Sequence, residues 1–268
     1  MGPETHVNPD DQYINTLIAA STSGLLGAGA SFFFKGLKIR IQSGQALPSM
    51  SQLGAYYWAK ETFRGTLSYA GCLVSTSIVQ QMMARYLEKQ NLSQTTLGKW
   101  SETLFSGALG GVTYNIAENI ILEQQRKRMN ALDATRSLLQ QSPTRIIRGL
   151  PFVMAREAVF GFCYLKGVKQ AGDYAREQWG SKYEMPAQIL AGMGGALISH
   201  PFDTSSTTMQ AYGYNKPSQA IRHLLSEASP FKALYRGGLA RLGLFTSSAL
   251  VMNSVRERVM EHLETPSV

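Results

Sequence analysis

SHPFDTSSTTMQ, residues 199–210, sets a proline and an acid near its start and a glutamine at its end. The glutamine recurs upstream. Gln210 follows Gln125 by 85 residues and Gln125 follows Gln42 by 83, and Gly192, Gly107 and Gly24 keep the same two intervals. A third marker, an Arg-Gly pair, falls late in each unit at Arg64-Gly65, Arg148-Gly149 and Arg236-Gly237. The chain therefore reads as a threefold repeat, with units of approximately 12–90, 98–178 and 184–264 in one domain spanning 1–268. So long a period lies outside the roughly 20–50 residues of solenoids and propellers, and each unit must hold a supersecondary block of its own.

The contents of each block follow from where charge is absent. Residues 13–34 carry no charged side chain over 22 positions and residues 65–84 none over 20. At about 1.5 Å per residue, either could cross roughly 30 Å of hydrocarbon. Weaker counterparts at 104–117, around 158–165, 186–202 and 242–255 bring the pattern to two spans per unit. The expected fold is an all-α membrane protein with six transmembrane helices in three tandem repeats. Ser, Thr, Asn, Gln and Gly are scattered through these stretches and the mean hydropathy is −0.12, so a soluble helical protein is the competing reading. Polar residues on one face of a spanning helix fit a water-filled interior.

Lys and Arg number 26 against 18 Asp and Glu, a net charge of +8. The basic residues are dispersed and no nucleic-acid recognition motif accompanies them, so an anionic lipid surface explains the charge better than nucleic acid. The two cysteines, Cys72 and Cys163, both fall inside expected spans, which argues against a disulfide framework or a zinc site. No metal or other cofactor is expected. Glu4, Asp10 and Asp11 make the N-terminus unlike a secretory signal or an Arg-rich transit peptide, leaving any targeting information internal. His, Cys and carboxylates form no catalytic constellation, so the protein is not expected to be an enzyme, and His200 beside Pro201 reads as a helix-end residue.

The segment 199–210 resembles the signature of the mitochondrial carrier family: proline, any residue, an acid, two residues, a base, a second base two further on, and glutamine two beyond that. The third repeat matches at Pro201, Asp203 and Gln210, with Ser206 and Thr208 in the basic slots. The first matches at Lys38, Arg40 and Gln42 but has Phe33 for the proline and Lys35 for the acid. The second keeps Glu118 and Gln125, with Ile116, Ile121 and Glu123 in the remaining slots. The shared register, with a glycine nine residues before each proline slot, covers nearly the whole chain. The resemblance implies a divergent member with pseudo-threefold symmetry and short amphipathic matrix-side helices, for which 51–62, 133–141 and 217–227 are the candidate segments. It also implies that each Arg-Gly pair, Arg64-Gly65, Arg148-Gly149 and Arg236-Gly237, binds cardiolipin phosphate at a helix N-terminus. A tight junction that needs glycine is the alternative.

Family transport proceeds by alternating closure of two rings of ion pairs. The implied matrix gate is Lys38 with Asp203, braced by Gln42, Gln125 and Gln210. The other two bridges are expected to be missing, because Lys35 would face Ile121 and Glu118 would face Ser206. On the opposite side Arg85 with Glu88, Lys169 with Gly172, and Glu257 with Met260 make a badly eroded gate.

Positions 4, 7, 11 and 15 beyond each Arg-Gly glycine lie within roughly 80° of arc on a helix. They select Tyr69, Cys72, Thr76 and Gln80, then Val153, Arg156, Phe160 and Tyr164, then Arg241, Leu244, Ser248 and Met252. Arg156 and the adjacent Glu157 fall on the family's second substrate contact point, where an arginine followed by an acid resembles carriers of amino acids and related zwitterions. A guanidinium takes a carboxylate in bidentate fashion and Glu157 would take an ammonium; a purely structural ion pair is the alternative. The candidate substrate-binding set is Arg156, Glu157, Tyr69, Cys72, Thr76, Gln80, Arg241 and Ser248. The implied function is a monomeric carrier moving a small metabolite across the inner mitochondrial membrane by alternating access, with cardiolipin as lipid partner. A nucleotide carrier using Arg156 and Arg241, and a non-transporting outer-membrane homologue, remain the alternatives.

Overall fold

The structure is a computed structural model that describes residues 9–46, 49–90 and 96–264. It is all-helical. A long helix, a short helix and a second long element follow one another three times. The first set is α1 (Pro9–Gln42), α2 (Met50–Thr62) and α3 (Thr66–Lys89). The second is α4 (Thr96–Lys127), α5 (Ala131–Gln141) and α6 (Leu150–Phe162), which runs through a π-helical turn at Cys163–Val168 into α7 (Lys169–Trp179). The third is α8 (Glu184–Ile198), α9 (His200–Tyr212), α10 (Pro217–Leu225), α11 (Pro230–Leu234) and α12 (Gly238–Glu264).

The expectation of six transmembrane helices is overturned. Among the described residues no helix is long and apolar enough to cross a membrane. Length is available, since α1 has 34 residues and α4 has 32. What fails is composition and continuity. α1 runs on from its uncharged stretch into Lys35, Lys38 and Arg40, α4 carries Glu102, Glu118 and Glu123, and the expected span at 186–202 divides at Ser199 into helices of 15 and 13 residues. Pro201 in the first turn of α9 explains the division, because proline suits a helix start and disrupts an interior. The π turn likewise interrupts the stretch around 158–165.

Packing follows a closed circuit. α1 lies along α3, α3 along α4, and α4 along α6; α6 packs on α9, α7 on α8, α8 on α12, and α12 returns to α1. Two repeat markers make these contacts close. A Cβ on Gly107 would stand 2.7 Å from the Glu157 carbonyl oxygen on α6, and one on Gly192 would meet the Phe245 ring of α12. The glycines of the three Arg-Gly pairs all have positive φ, at 103°, 87° and 81°, immediately before α3, α6 and α12. Only glycine adopts that turn without strain.

Charged side chains are buried beside an apolar core, while some large apolar side chains face outward. Leu67 and Leu239 are 88% and 86% exposed, whereas Lys35, Lys38, Glu118, Arg156 and Asp203 are buried. Apolar packing around these charges is modest, built on Ala28, Phe32, Ile39, Tyr69, Cys72, Ile121 and Leu244.

Candidate functional site

Charged residues from all three repeats meet where α1, α4, α6, α9 and α12 converge. Asp203 sits in the first turn of α9, where the helix N-terminus favours a carboxylate. Its Oδ1 receives Lys38 Nζ at 2.8 Å, Arg156 Nη1 at 2.6 Å and Arg241 Nη1 at 3.0 Å, and its Oδ2 receives Gln42 Nε2 at 2.9 Å. Glu118 on α4 pairs with Lys35 and accepts from Arg156 Nη1 at 3.0 Å, with Lys38 Nζ 3.6 Å away. Arg156 Nε donates to Glu157 at 2.8 Å.

Arg156 thus ties Glu118 to Asp203. Lys35 Nζ also donates to the Tyr114 hydroxyl at 3.1 Å and lies 4.6 Å from that ring's centroid; the Arg156 guanidinium lies 4.3 Å from it. Tyr114 therefore touches two cations, whose charge its π-system attracts. Each ion in such a cluster costs several kcal/mol to desolvate, and dense pairing is what offsets that cost.

The expected single bridge, Lys38 to Asp203, is present, but the two bridges expected to be missing are replaced. Lys35 crosses to Glu118. Glu118 finds Arg156 instead of a base at Ser206. Sequence spacing did not mark Lys35, Glu118 or Tyr114 as candidate site residues. One signal was available, since Lys35 and Glu118 occupy the same signature slot 83 residues apart with opposite charge.

The three glutamines behave differently. Gln42 Nε2 also reaches Thr204 Oγ1 at 3.1 Å, and Gln42 Oε1 accepts from Thr207 at 3.0 Å, so it joins α1 to α9. Gln210 Nε2 donates to Asn115 Oδ1 at 3.2 Å and to the Arg148 carbonyl at 3.2 Å, joining α9 to α4. Gln125 is buried with both amide atoms lacking a hydrogen-bond partner among the described residues.

Of the other proposed substrate contacts, Tyr69, Cys72, Thr76 and Arg241 are buried, Thr76 sharing a 3.0 Å hydrogen bond with Thr113 and Arg241 Nη2 donating to Ser199 Oγ at 2.7 Å. Gln80 lies flush against Gly110, and Ser248 is half-buried on α12. The side chains of Tyr164 and Met252, and of Glu88, Glu257 and Met260 in the opposite gate, lie outside the described residues. His200 is the first residue of α9, its Nε2 3.1 Å from the Arg236 carbonyl oxygen.

The arginines of the Arg-Gly pairs are engaged within the chain: Arg64 with Glu61, Arg148 Nη2 with Asn215 Oδ1 at 2.9 Å, and Arg236 with Glu227. Partial burial holds Arg148 below the ordinary arginine range, and Arg145 nearby adds to it. The adjacent glycines abut the next repeat in order. A Cβ added at each would lie 3.2 Å from Ile121 at Gly65, 2.7 Å from Ser206 Oγ at Gly149 and 3.3 Å from Gln42 at Gly237. This geometry gives the tight-junction reading of the pairs a physical basis independent of any lipid. Comparison with protein-family models and with curated proteins returned no match for this chain.

Proposed function

We propose that this protein is a solute carrier in which the buried ion-pair cluster is a closure that opens and re-forms as a small metabolite passes. The observation that supports the reading is the convergence of Lys35, Lys38, Glu118, Arg156 and Asp203, drawn from three repeats, in one buried network. Replacing buried ion pairs by well-packed apolar residues is often neutral or stabilising, so stability alone gives little reason for such a cluster. A junction that must separate and re-form gives one. The protein is read as non-enzymatic and as acting at the mitochondrial inner membrane with cardiolipin as lipid partner, on the strength of the signature.

The test uses purified protein in cardiolipin-containing vesicles loaded with radiolabelled amino acids, carboxylates or nucleotides. Gln42→Cys with Thr204→Cys, in a background with Cys72 and Cys163 replaced by Ser, places thiols where α1 meets α9. Cross-linking them is expected to stop exchange, and reduction to restore it. Exchange that continues through the cross-link, or no exchange of any probe, removes the reading.

A further inference from the structure

His200 is fully buried, and its two ring nitrogens meet different neighbours. Nε2 lies 3.1 Å from the Arg236 carbonyl oxygen. A carbonyl can only accept, so Nε2 carries the ring proton and the neutral imidazole presents Nδ1 as a bare acceptor. That lone pair has no donor among the described residues. Facing it is a second acceptor, Asp203 Oδ2, at 3.8 Å. The pair is one proton short. A proton on Nδ1 would turn two opposed acceptors into a charge-assisted hydrogen bond, after an approach of roughly 1 Å.

The groups that face His200 decide when that proton arrives. Asp203, on α9 itself, favours it; Lys38 from α1 and Arg241 from α12 oppose it, and the Tyr235 ring stands 5.8 Å away beyond α11. While Lys38, Arg156 and Arg241 hold Asp203, its charge is already met, and burial and the two cations keep the imidazole neutral. This balance depends on the contact of α1 with α9. When α1 withdraws, Asp203 loses both Lys38 and Gln42, whereas His200 stays beside it on the same helix. We propose that His200 is a proton-binding site that fills as α1 leaves α9, its imidazolium replacing Lys38 as counter-ion of Asp203. The departure of α1 rests on the carrier reading, but the proton site is measurable without transport. The sign follows from linkage: the ring binds its proton more tightly with α1 away, so opening takes up a proton and acid favours the open form. The effect lies below the ordinary imidazole value of about 6.5 and fades where the closed form is itself protonated.

The chain has four histidines, His6, His200, His223 and His262, so imidazole nitrogen resonances of the purified, labelled protein are few enough to assign. His200→Gln identifies the His200 signals, and its amide keeps a donor for the Arg236 carbonyl. The wild-type protein near neutral pH is expected to show the Nε2–H tautomer. Lys38→Met, which removes the counter-ion as departure of α1 would, is expected to raise the proton affinity of His200 about tenfold or more; Lys38→Gln serves if Lys38→Met does not fold. In vesicles, exchange of the amino acid, carboxylate or nucleotide that moves is expected to quicken several-fold as pH falls from about 7.5 to about 5.5, and His200→Gln to lose that dependence. An Nδ1–H tautomer, a proton affinity unchanged without Lys38, or wild-type exchange flat across that range overturns the proposal. Exchange without any change at His200 in the Lys38 variant removes the proton site and leaves the carrier reading; a raised affinity without exchange of any probe does the reverse.

Discussion

Arg156 contacts three carboxylates through two nitrogens, and this sets what its removal does. A residue that only met solute would leave stability unchanged when truncated. Breaking a buried pair by removing one partner instead costs about 3–5 kcal/mol. Arg156→Ala is therefore expected to lower thermal stability by an amount in that range, even without ligand, and an unchanged melting temperature would take Arg156 out of the closure. Asp203 carries a related prediction. Exchanging Lys38 and Asp203 would cure an isolated pair, but a lysine at 203 would face Arg156 and Arg241, which now lie 2.6 Å and 3.0 Å from the carboxylate. The double reversal is expected to fold no better than the single reversals, and rescue in a double-mutant cycle would show that the pair stands alone.

Among the elements, the junction before α6 is the most constrained. Gly149 has φ 87° and its Cβ position lies 2.7 Å from Ser206 Oγ, so Gly149→Ala combines backbone strain with a clash against α9. A loss of about 1–3 kcal/mol is expected from the backbone alone. Gly149→Ala with Ser206→Ala should recover only the part due to the Ser206 hydroxyl, which chemical or thermal unfolding resolves. The docking of α5 on α4 depends on Glu123, which accepts from Lys127 at 2.6 Å, Ser137 at 3.0 Å and Gln141 at 3.3 Å. Burial would raise its pKa, but these hydrogen bonds outweigh burial and hold the carboxyl below its ordinary 4.5. A depressed native pKa means the contribution is complete above the unfolded value and is lost as pH falls through the native one. Amide exchange in α5 is therefore expected to quicken, relative to α10, on acidification below about pH 4.5, and Glu123→Gln should remove that pH dependence.

For the whole molecule, the contact of α12 with α1 closes the circuit that the three repeats form. Gly243 packs against Phe34 of α1, Gly237 lies against Gln42, and Arg241 supplies Asp203 with its third cation. Ending the chain after Arg236 removes all of these together. Such a truncation is expected to lose cooperative unfolding throughout, including in the first repeat, because α1 would lose a partner and the cluster a charge. Independent melting of an intact first repeat would mean that the units are separable.

The helical content and the short helices near 51–62, 133–141 and 217–227 were legible in the residues, because glycine junctions and proline starts act locally. Lys38 with Asp203 was legible too, since a shared register maps one repeat on another. Transmembrane spans were misjudged: a gap in charge records what a segment lacks, whereas crossing hydrocarbon requires sustained apolarity, and Ser, Thr and Gly dilute it here. The rewired cluster could not be read from order alone. Whether Lys35 turns to Ile121 or Glu118, and whether Arg156 points to solute or across to α4 and α9, depends on helix rotation and spacing. Those are set by the close approach of α4 to α6 at Gly107 and by the break at Pro201, where packing of distant segments, not local propensity, chooses the partners of each charge.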